Sequence, residues 1–360
     1  MKVLERRSGL ALQTIVTGMH LIPELGNSID LIKKDGFPIT EIIPLAPKNQ
    51  SPAAWPQAMG QAMSNFAQAI EKLSPHIVLL FGDRAETFTC SLAASYMSVP
   101  SAHVQAGDKS GHVDDIARMA MAKLVNIHFA SCDDSAERLR NLGEQEFRIF
   151  QVGAPQLDDI VGVNFKTNSI TIGTDQFDLT QPYILLVQHS VLVERNDVSN
   201  HILQTLDAVL ETQLPVYWIF PNSDPGYRDI ISLSDRFTEE RITVLRNIER
   251  QNYLRLLANC SVLVGNSSSG ILEAPSFKVS VVNIGNRQRG RPQATNIINC
   301  GYNSHDIKNA IGRALSDEKF LEACKDSVNP YGDGQSSSRI CKILSEISLN
   351  QQLIDKKTTF

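Results

Sequence analysis

The residues best placed to do chemistry begin with SVLVGNSSSGILEAPSF, residues 261–277. A short apolar run, Val262 to Val264, stops at Gly265 and Asn266, and three hydroxyls, Ser267, Ser268 and Ser269, precede Gly270. Where a strand gives way to a helix, the first helical amides lack partners, and with the positive end of the dipole they attract anions. The hydroxyls add donors, the glycines would let a phosphate approach the backbone, and Glu273, one turn on, could accept from ribose hydroxyls. Simple capping needs only one hydroxyl. The run is not a Walker loop, lacking Gly-Lys-Ser/Thr, nor the dinucleotide G-x-G-x-x-G. NIGNRQRGRP, residues 283–292, follows the next apolar run, and its Arg287, Arg289 and Arg291 would lie beside the same helix end. Guanidinium groups there suit a diphosphate, although a solvated basic loop would look the same in isolation.

Carboxylates form a second group. Asp83 ends HIVLLFGD (76–83), Asp108 ends HVQAGD (103–108), and Asp114, with Asp115 beside it, opens DDIARMAMAKL (114–124). Carboxylates at strand ends can move protons. The simpler alternatives are an ion pair of Asp83 with Arg84 and helix capping by Asp114 and Asp115. His20 in TGMHL and His189 after YILLVQ are single histidines near strand ends.

The elements that must position these groups read as α/β. Candidate strands cover 12–18, 76–83, 101–108, 127–131, 183–190, 216–223, 242–247, 261–268 and 279–285. Helix-like windows lie between them at 56–74, 85–97, 114–125, 133–142, 197–212, 250–258 and 305–316. Continuous apolar strands alternating with helices predict parallel sheets covered on both faces, with ligands at the carboxyl ends of the strands. The chain has 360 residues, 42% hydrophobic and 20% charged, as in a globular protein of two domains. A polar break at 156–182 marks the boundary: an N-terminal Rossmann-like domain at 1–165, a C-terminal nucleotide-diphosphate-binding domain at 166–335, and a C-terminal helix and tail at 336–360. The net charge of −5 gives no pull toward nucleic acid or anionic membrane. No apolar run is long enough for a membrane span, and the N-terminus lacks a secretion-signal core. The six cysteines, with no C-x-x-C pair, fit a reducing cytoplasm rather than a zinc site or disulfide framework.

VGNSSSGILEAPSFKVSVVNIGNRQRGRPQATNII resembles the C-terminal domain of the UDP-N-acetylglucosamine 2-epimerases, specifically their hydrolysing branch, which feeds sialic-acid-type synthesis. IVTGMHLIPELGNSIDLIKKDGF, FGDRAE, HVQAGDKSGHVDD, VGAPQLDDI, FPNSD and NPYGDG extend the likeness across residues 8–345. The resemblance implies two Rossmann-like domains in a glycosyltransferase-B-type arrangement with an interdomain cleft. It also implies elimination of the nucleoside diphosphate across C1–C2 of the sugar, giving a 2-acetamidoglucal, and hydration to the free 2-epimeric sugar. On this basis Asp83, Asp108 and Asp114 match acid/base positions. His20, Arg84, His189, Asn222, Asn266, Ser267, Ser268, Ser269, Gly270, Glu273 and Arg287 match substrate-binding positions.

Some positions depart from the family pattern. Asp108 stands where the family usually has Glu, and Ser190 follows His189 where Pro is usual. Members open with a strand and a Gly-Ser/Thr-Arg loop, whereas MKVLERRSGLALQTIVTG corresponds to the end of the first helix and the second strand. The first strand of the N-terminal domain is therefore expected to be missing. The expected protein is a cytoplasmic homodimer needing neither cofactor nor metal, converting UDP-GlcNAc and water to ManNAc and UDP. The alternatives are the same chemistry on a UDP- or GDP-linked diacetamido-trideoxyhexose, a non-hydrolysing epimerase, a glycosyltransferase, or an inactive nucleotide-sugar binder.

Overall fold

A computed structural model describes residues 1–22, 28–47, 51, 53–109, 114–221, 226–236, 241–246 and 248–359, without the side chains of 114, 192, 235 and 236. The chain divides into two compact units, one built from Met1–Lys109, Val113–Pro155 and Gln335–Phe360, the other from Gln156–Gly334.

The first unit carries β1 (Ile15–Thr17) and β2 (Glu41–Ile43) as one parallel pair. A separate parallel sheet runs β3 (Val78–Phe81), β4 (Ser101–Ala106), β5 (Ile127–Ala130), β6 (Ile149–Gln151). Ile15 and Ile43 share an apolar cluster with Val78 and Leu80, so both sheets pack on the same helices, although no hydrogen-bonded ladder joins β1 to β3 among the described residues. The helix Ala54–Leu73 turns Ala62, Phe66, Ala69 and Ile70 into that cluster, the spacing of one helical face. At the far edge, Gly82 and Asp83 follow β3, Gly107 and Asp108 follow β4, and Ser131 follows β5. The β4–β5 register shifts between Val104 and Ala106, where Gln105 takes a positive φ of 63°. This bulge redirects the strand just ahead of Asp108.

Residues 335–360 return to this unit. Ile340 and Leu353 join Ala102, Val104, Ile127 and Phe129 in one cluster. Arg148, fully buried, donates to the carbonyls of Gln352, Leu353 and Asp355 at the end of the short helix Gln351–Ile354. Positive charge on these last carbonyls is favourable. The buried Glu144 binds Lys356 at 2.6 Å and His128 at 3.0 Å, fixing the tail.

The second unit opens with an antiparallel hairpin, β7 (Ser169–Ile172) and β8 (Asp175–Asp178). Its main sheet is parallel, in the order β11 (Ile242–Leu245), β10 (Val216–Ile219), β9 (Ile184–Val187), β12 (Val262–Gly265), β13 (Ser280–Ile284), β14 (Ile297–Cys300). Ile184 and Leu186 face the helices Val198–Leu210 and Ser304–Ser316 together with the fully buried Trp218. Leu185 and Val187 face Leu256, Leu257 and Ala274 on the other side. Alternate residues are thus buried on both faces, which is why these strands read as unbroken apolar runs.

The division between units falls at 155/156, not at 165/166, and residues 335–360 belong to the first unit rather than forming a separate tail. The polar stretch taken as a linker contains the β7–β8 hairpin, whose Ile170, together with Leu179 beyond it, is buried against the second unit's core. The turn at Gly173, with φ of 63°, and the alternation of Ile170 and Ile172 with polar residues are the signals for it.

Candidate functional site

In the second unit, β9, β12 and β13 end in register, Val187 opposite Gly265 and Gly265 opposite Asn283. Gly265 has a φ of 131°, and a Cβ there would lie 2.1 Å from the carbonyl of Val187, so this close approach requires glycine. Asn266 follows, buried, with all its polar groups engaged. Its amide donates to Val187 O at 3.1 Å and its carbonyl accepts from Gln288 Nε2 at 2.9 Å. Its carboxamide accepts from the His189 amide at 2.7 Å and donates to the His189 carbonyl at 2.9 Å. Asn266 is therefore a clamp joining the ends of β9, β12 and the loop after β13, and it fixes the backbone that carries the half-buried His189.

The hydroxyls beyond it divide their work. Ser267 Oγ accepts from the Ser269 amide at 3.3 Å and lies 3.1 Å from Ser269 Oγ, which in turn bonds Tyr253 OH. Ser267 thus closes a local serine turn. Ser268 Oγ, and the amides of Ser267 and Ser268, have no hydrogen-bond partner among the described residues, which leaves three donors together at the turn. Arg287 Nη1 lies 3.4 Å from Asn266 O, placing its cation beside them.

The helix after the turn is broken into Ser269–Leu272 and Ala274–Phe277, with Pro275 in the second piece, so its dipole contributes less than a long helix would. Gly270 faces the sheet, where a Cβ would lie 3.0 Å from Val281 Cγ1. Its role is close packing of helix on sheet rather than approach of a ligand. Glu273 is 5% exposed and pairs with Arg250 at 2.8 Å, and Arg250 also binds Asp159 at 3.1 Å and the Gln156 carbonyl at 3.0 Å. Burial raises the Glu273 pKa in spite of Arg250. Burial likewise opposes the Arg250 charge, but Glu273 and Asp159 outweigh it and raise its pKa. Arg289 and Arg291 line a cavity at the carboxyl ends of β13 and β14.

In the first unit, Asp83 and Asp108 converge on one buried cation. Arg118, 3% exposed, binds Asp83 and donates to the Gln105 carbonyl at 2.5 Å, the carbonyl turned by the bulge. Asp108 is also within electrostatic reach of Arg118, as is Asp115. These carboxylates outweigh burial and raise the arginine's pKa, so it stays charged. Asp108 is 4% exposed and accepts from Ser135 Oγ at 2.7 Å and Ser131 Oγ at 3.1 Å. The carboxylate is thereby drawn toward the amino end of the helix Asp133–Asn141. Beneath Asp83, the fully buried His103 donates from Nε2 to the Gly82 carbonyl at 2.7 Å, and burial lowers its pKa to about 3, so it is neutral.

Beside β1, His20 lies in the turn Gly18–Leu21 with Nδ1 2.7 Å from Ser28 Oγ. Gly18 leaves room for the buried Glu86, which a Cβ would meet at 1.8 Å. Glu86 in turn pairs with Arg84 at 3.6 Å. Asp114 opens its helix, but its side chain, like the whole of Asn222, lies outside the described residues.

Sequence reasoning missed Arg118, Arg250, Tyr253, Ser131, Ser135 and Gln288. Arg118 carried a signal, being a cation set among the Ala and Met residues of its helix. Such a residue is buried only with a charge partner.

Parallel α/β sheets with a donor-rich turn at one set of strand ends, and carboxylates around a buried arginine at another, define a protein that handles a phosphorylated metabolite. The sequence profile described as UDP-N-acetylglucosamine 2-epimerase matches residues 2–345. The UDP-N,N'-diacetylbacillosamine 2-epimerase (hydrolyzing) of Legionella pneumophila is 34% identical over 357 residues, 99% of this chain and 93% of that protein. The GDP/UDP-N,N'-diacetylbacillosamine 2-epimerase (hydrolyzing) of Campylobacter jejuni is 31% identical over 309 residues, 84% of this chain and 80% of that protein. Among solved structures, UDP-GlcNAc 2-epimerase from Neisseria meningitidis bound to UDP-GlcNAc matches with a TM-score of 0.79 at 18% identity, covering 96% of this chain and 95% of that one. The chain belongs to the UDP-N-acetylglucosamine 2-epimerase family, and with its hydrolysing branch. Among the described residues no helix is long and apolar enough to cross a membrane.

Proposed function

We propose that this protein hydrolyses a UDP-linked 2,4-diacetamido-2,4,6-trideoxyhexose with inversion at C2, releasing UDP and the free 2-epimeric sugar. The observation that carries this is the turn at Ser267–Ser268, where two amides and one hydroxyl have no partner among the described residues and Arg287 lies beside them, a donor set suited to a diphosphate. The choice of sugar is supported by the Legionella relative, which is alike over 99% of this chain. Family membership alone supports a second reading, UDP-GlcNAc giving ManNAc.

A C2 proton on such a sugar is too weakly acidic to be removed without concerted loss of a leaving group. A base takes the C2 proton while the C1–O bond breaks, the electron pair forms the C1–C2 double bond, and UDP departs as the anion. Water then adds across that bond, hydroxyl to C1 and proton to C2 from the opposite face. The turn and Arg287 stabilise the departing diphosphate. Asp83, held in one orientation by Arg118, is suited to moving the proton, with Asp114 as the second acid/base and His189, Arg84 and His20 as binding groups. Asp108 lies deeper, restrained by two serine hydroxyls, and acts through the charge it shares with Arg118.

The protein is further inferred to be a cytoplasmic homodimer supplying a sialic- or legionaminic-type acid synthesis. The compartment is supported by six free cysteines, and the dimer by the family resemblance. Proton NMR of reactions with UDP-N,N'-diacetylbacillosamine and with UDP-GlcNAc tests the reading. UDP and free 2-epimeric sugar from the diacetamido substrate, in preference to UDP-GlcNAc, is the expected result. A product still carrying UDP would identify a non-hydrolysing epimerase, and substrate bound but unchanged would leave only a binding protein.

A further inference from the structure

Glu194 lies in the short turn Leu192–Glu194, beyond His189 on the segment that leaves the end of β9. Its half-buried carboxylate gathers side chains from the other loops at this edge of the sheet. Oε2 accepts from Tyr302 OH at 2.5 Å and lies 3.9 Å from His201 Nδ1, and Oε1 accepts from Asn286 Nδ2 at 3.4 Å. The Tyr302 ring is itself fixed. It stacks on His201 at 3.5 Å and covers Gly285, whose φ is 71° and where a Cβ would lie 2.2 Å from the Tyr302 hydroxyl. Burial and the bond to Glu194 raise the Tyr302 pKa, so the phenol keeps its proton and donates it to the carboxylate.

Asn286 is where this junction meets the donor turn. Its carbonyl accepts from the Arg289 amide at 2.9 Å, which closes a four-residue turn with Arg287 and Gln288 at its centre. Those two central residues reach the Asn266 carbonyl, at 3.4 and 2.9 Å. Arg287 is also within electrostatic reach of Tyr302. Glu194 therefore anchors the first residue of the turn whose next residue supplies the cation beside Ser267 and Ser268.

We propose that Glu194 is a positioning residue, which pins the loop after β13 so that Arg287 stays beside the donor turn; this role rests on that turn being the diphosphate site. A cation on a loop that is already ordered gives up less conformational freedom when it takes an anion, so the anion binds more tightly. Through space a carboxylate repels a diphosphate, so Glu194 favours binding only through the groups that it holds.

The full-length protein is titrated calorimetrically with UDP, and melting temperatures verify that each variant folds. Glu194→Ala is expected to raise the Kd about tenfold and Tyr302→Phe about fivefold, while Glu194→Gln, which keeps an acceptor for Tyr302, stays within about threefold of the wild type. Arg287→Ala alone is expected to raise the Kd about tenfold, and in that background Glu194→Ala should add less than about twofold, because its effect passes through the arginine. A merely structural role would give the same loss in both backgrounds. If Glu194→Ala does not fold, Tyr302→Phe, which keeps the ring against Gly285, carries the same comparison with Arg287→Ala. Additive losses, an unchanged Kd for Glu194→Ala, or tighter UDP binding by both Glu194 variants would each overturn the proposal. An Arg287→Ala variant with unchanged UDP binding would remove the reading of the turn together with this role. A loss in Arg287→Ala with none in Glu194→Ala would remove this role alone.

Discussion

In the first unit the ionisable groups are held by other side chains: Asp83 by Arg118, Asp108 by Ser131 and Ser135, Arg84 by Glu86. In the second unit the donor turn is held by main chain, through the approach of Gly265 to Val187 and the double clamp of Asn266 on His189. Charges set among charges have proton affinities that depend on every neighbour, so a small change there alters reactivity before it alters shape. A turn built from backbone offers donors of fixed geometry, and a change there alters shape first. The former arrangement suits proton transfer and the latter suits binding.

The largest effect that separates them is expected from Asp83→Asn, which keeps an acceptor for Arg118 but removes the charge. Turnover should fall about 1000-fold while the Kd for UDP changes less than about twofold. Turnover within tenfold of the wild type would remove Asp83 from the chemistry. Gly265→Ala should act in the opposite sense, through shape. A φ of 131° and a contact of 2.1 Å with a main-chain oxygen place its destabilisation at about 3 kcal/mol or more, read from the urea midpoint, with UDP binding lost.

Acid should expose the first unit's dependence on burial. His103 is neutral in the fold, its pKa lowered to about 3 by burial from a usual 6.5. The unfolded chain therefore takes up the proton first, so stability is intact above pH 6.5 and declines as the pH falls toward 3. The loss should be about 2 kcal/mol by pH 5, and His103→Gln should flatten that slope in denaturant melts at a series of pH values. A slope unchanged by the substitution would assign the acid sensitivity elsewhere. The smallest effect sharpens the division within the turn. Ser268→Ala should weaken UDP about fivefold with no change in melting temperature, whereas Ser267→Ala should lower the melting temperature by removing the local serine turn. Identical behaviour of the two would mean that the hydroxyls are not divided between binding and structure.

Much of this was legible in the sequence where the local pattern and the tertiary environment agree. The central strands β9, β12 and β13 announce themselves because both faces are buried. The short edge strands β2, β6 and β14 do not, since three or four residues carry too little periodicity to separate from a loop. The turn was found from its three hydroxyls and two glycines, but the work of each residue was not. A carboxamide that clamps main chain and one that holds a ligand are the same letter, and Asn266 does the former here. The glycines likewise serve chain approach and helix packing, which depend on neighbours remote in sequence.

Arg148 reaches across more than two hundred positions of sequence to carbonyls in the final helix, and Ile340 and Leu353 complete the apolar layer behind β4 and β5. A ribosome delivers residues 156–334 before it delivers those contacts. The later-made half can therefore close its core during synthesis, while the half that emerged first must wait, with part of its apolar surface uncovered, until residues 335–360 arrive.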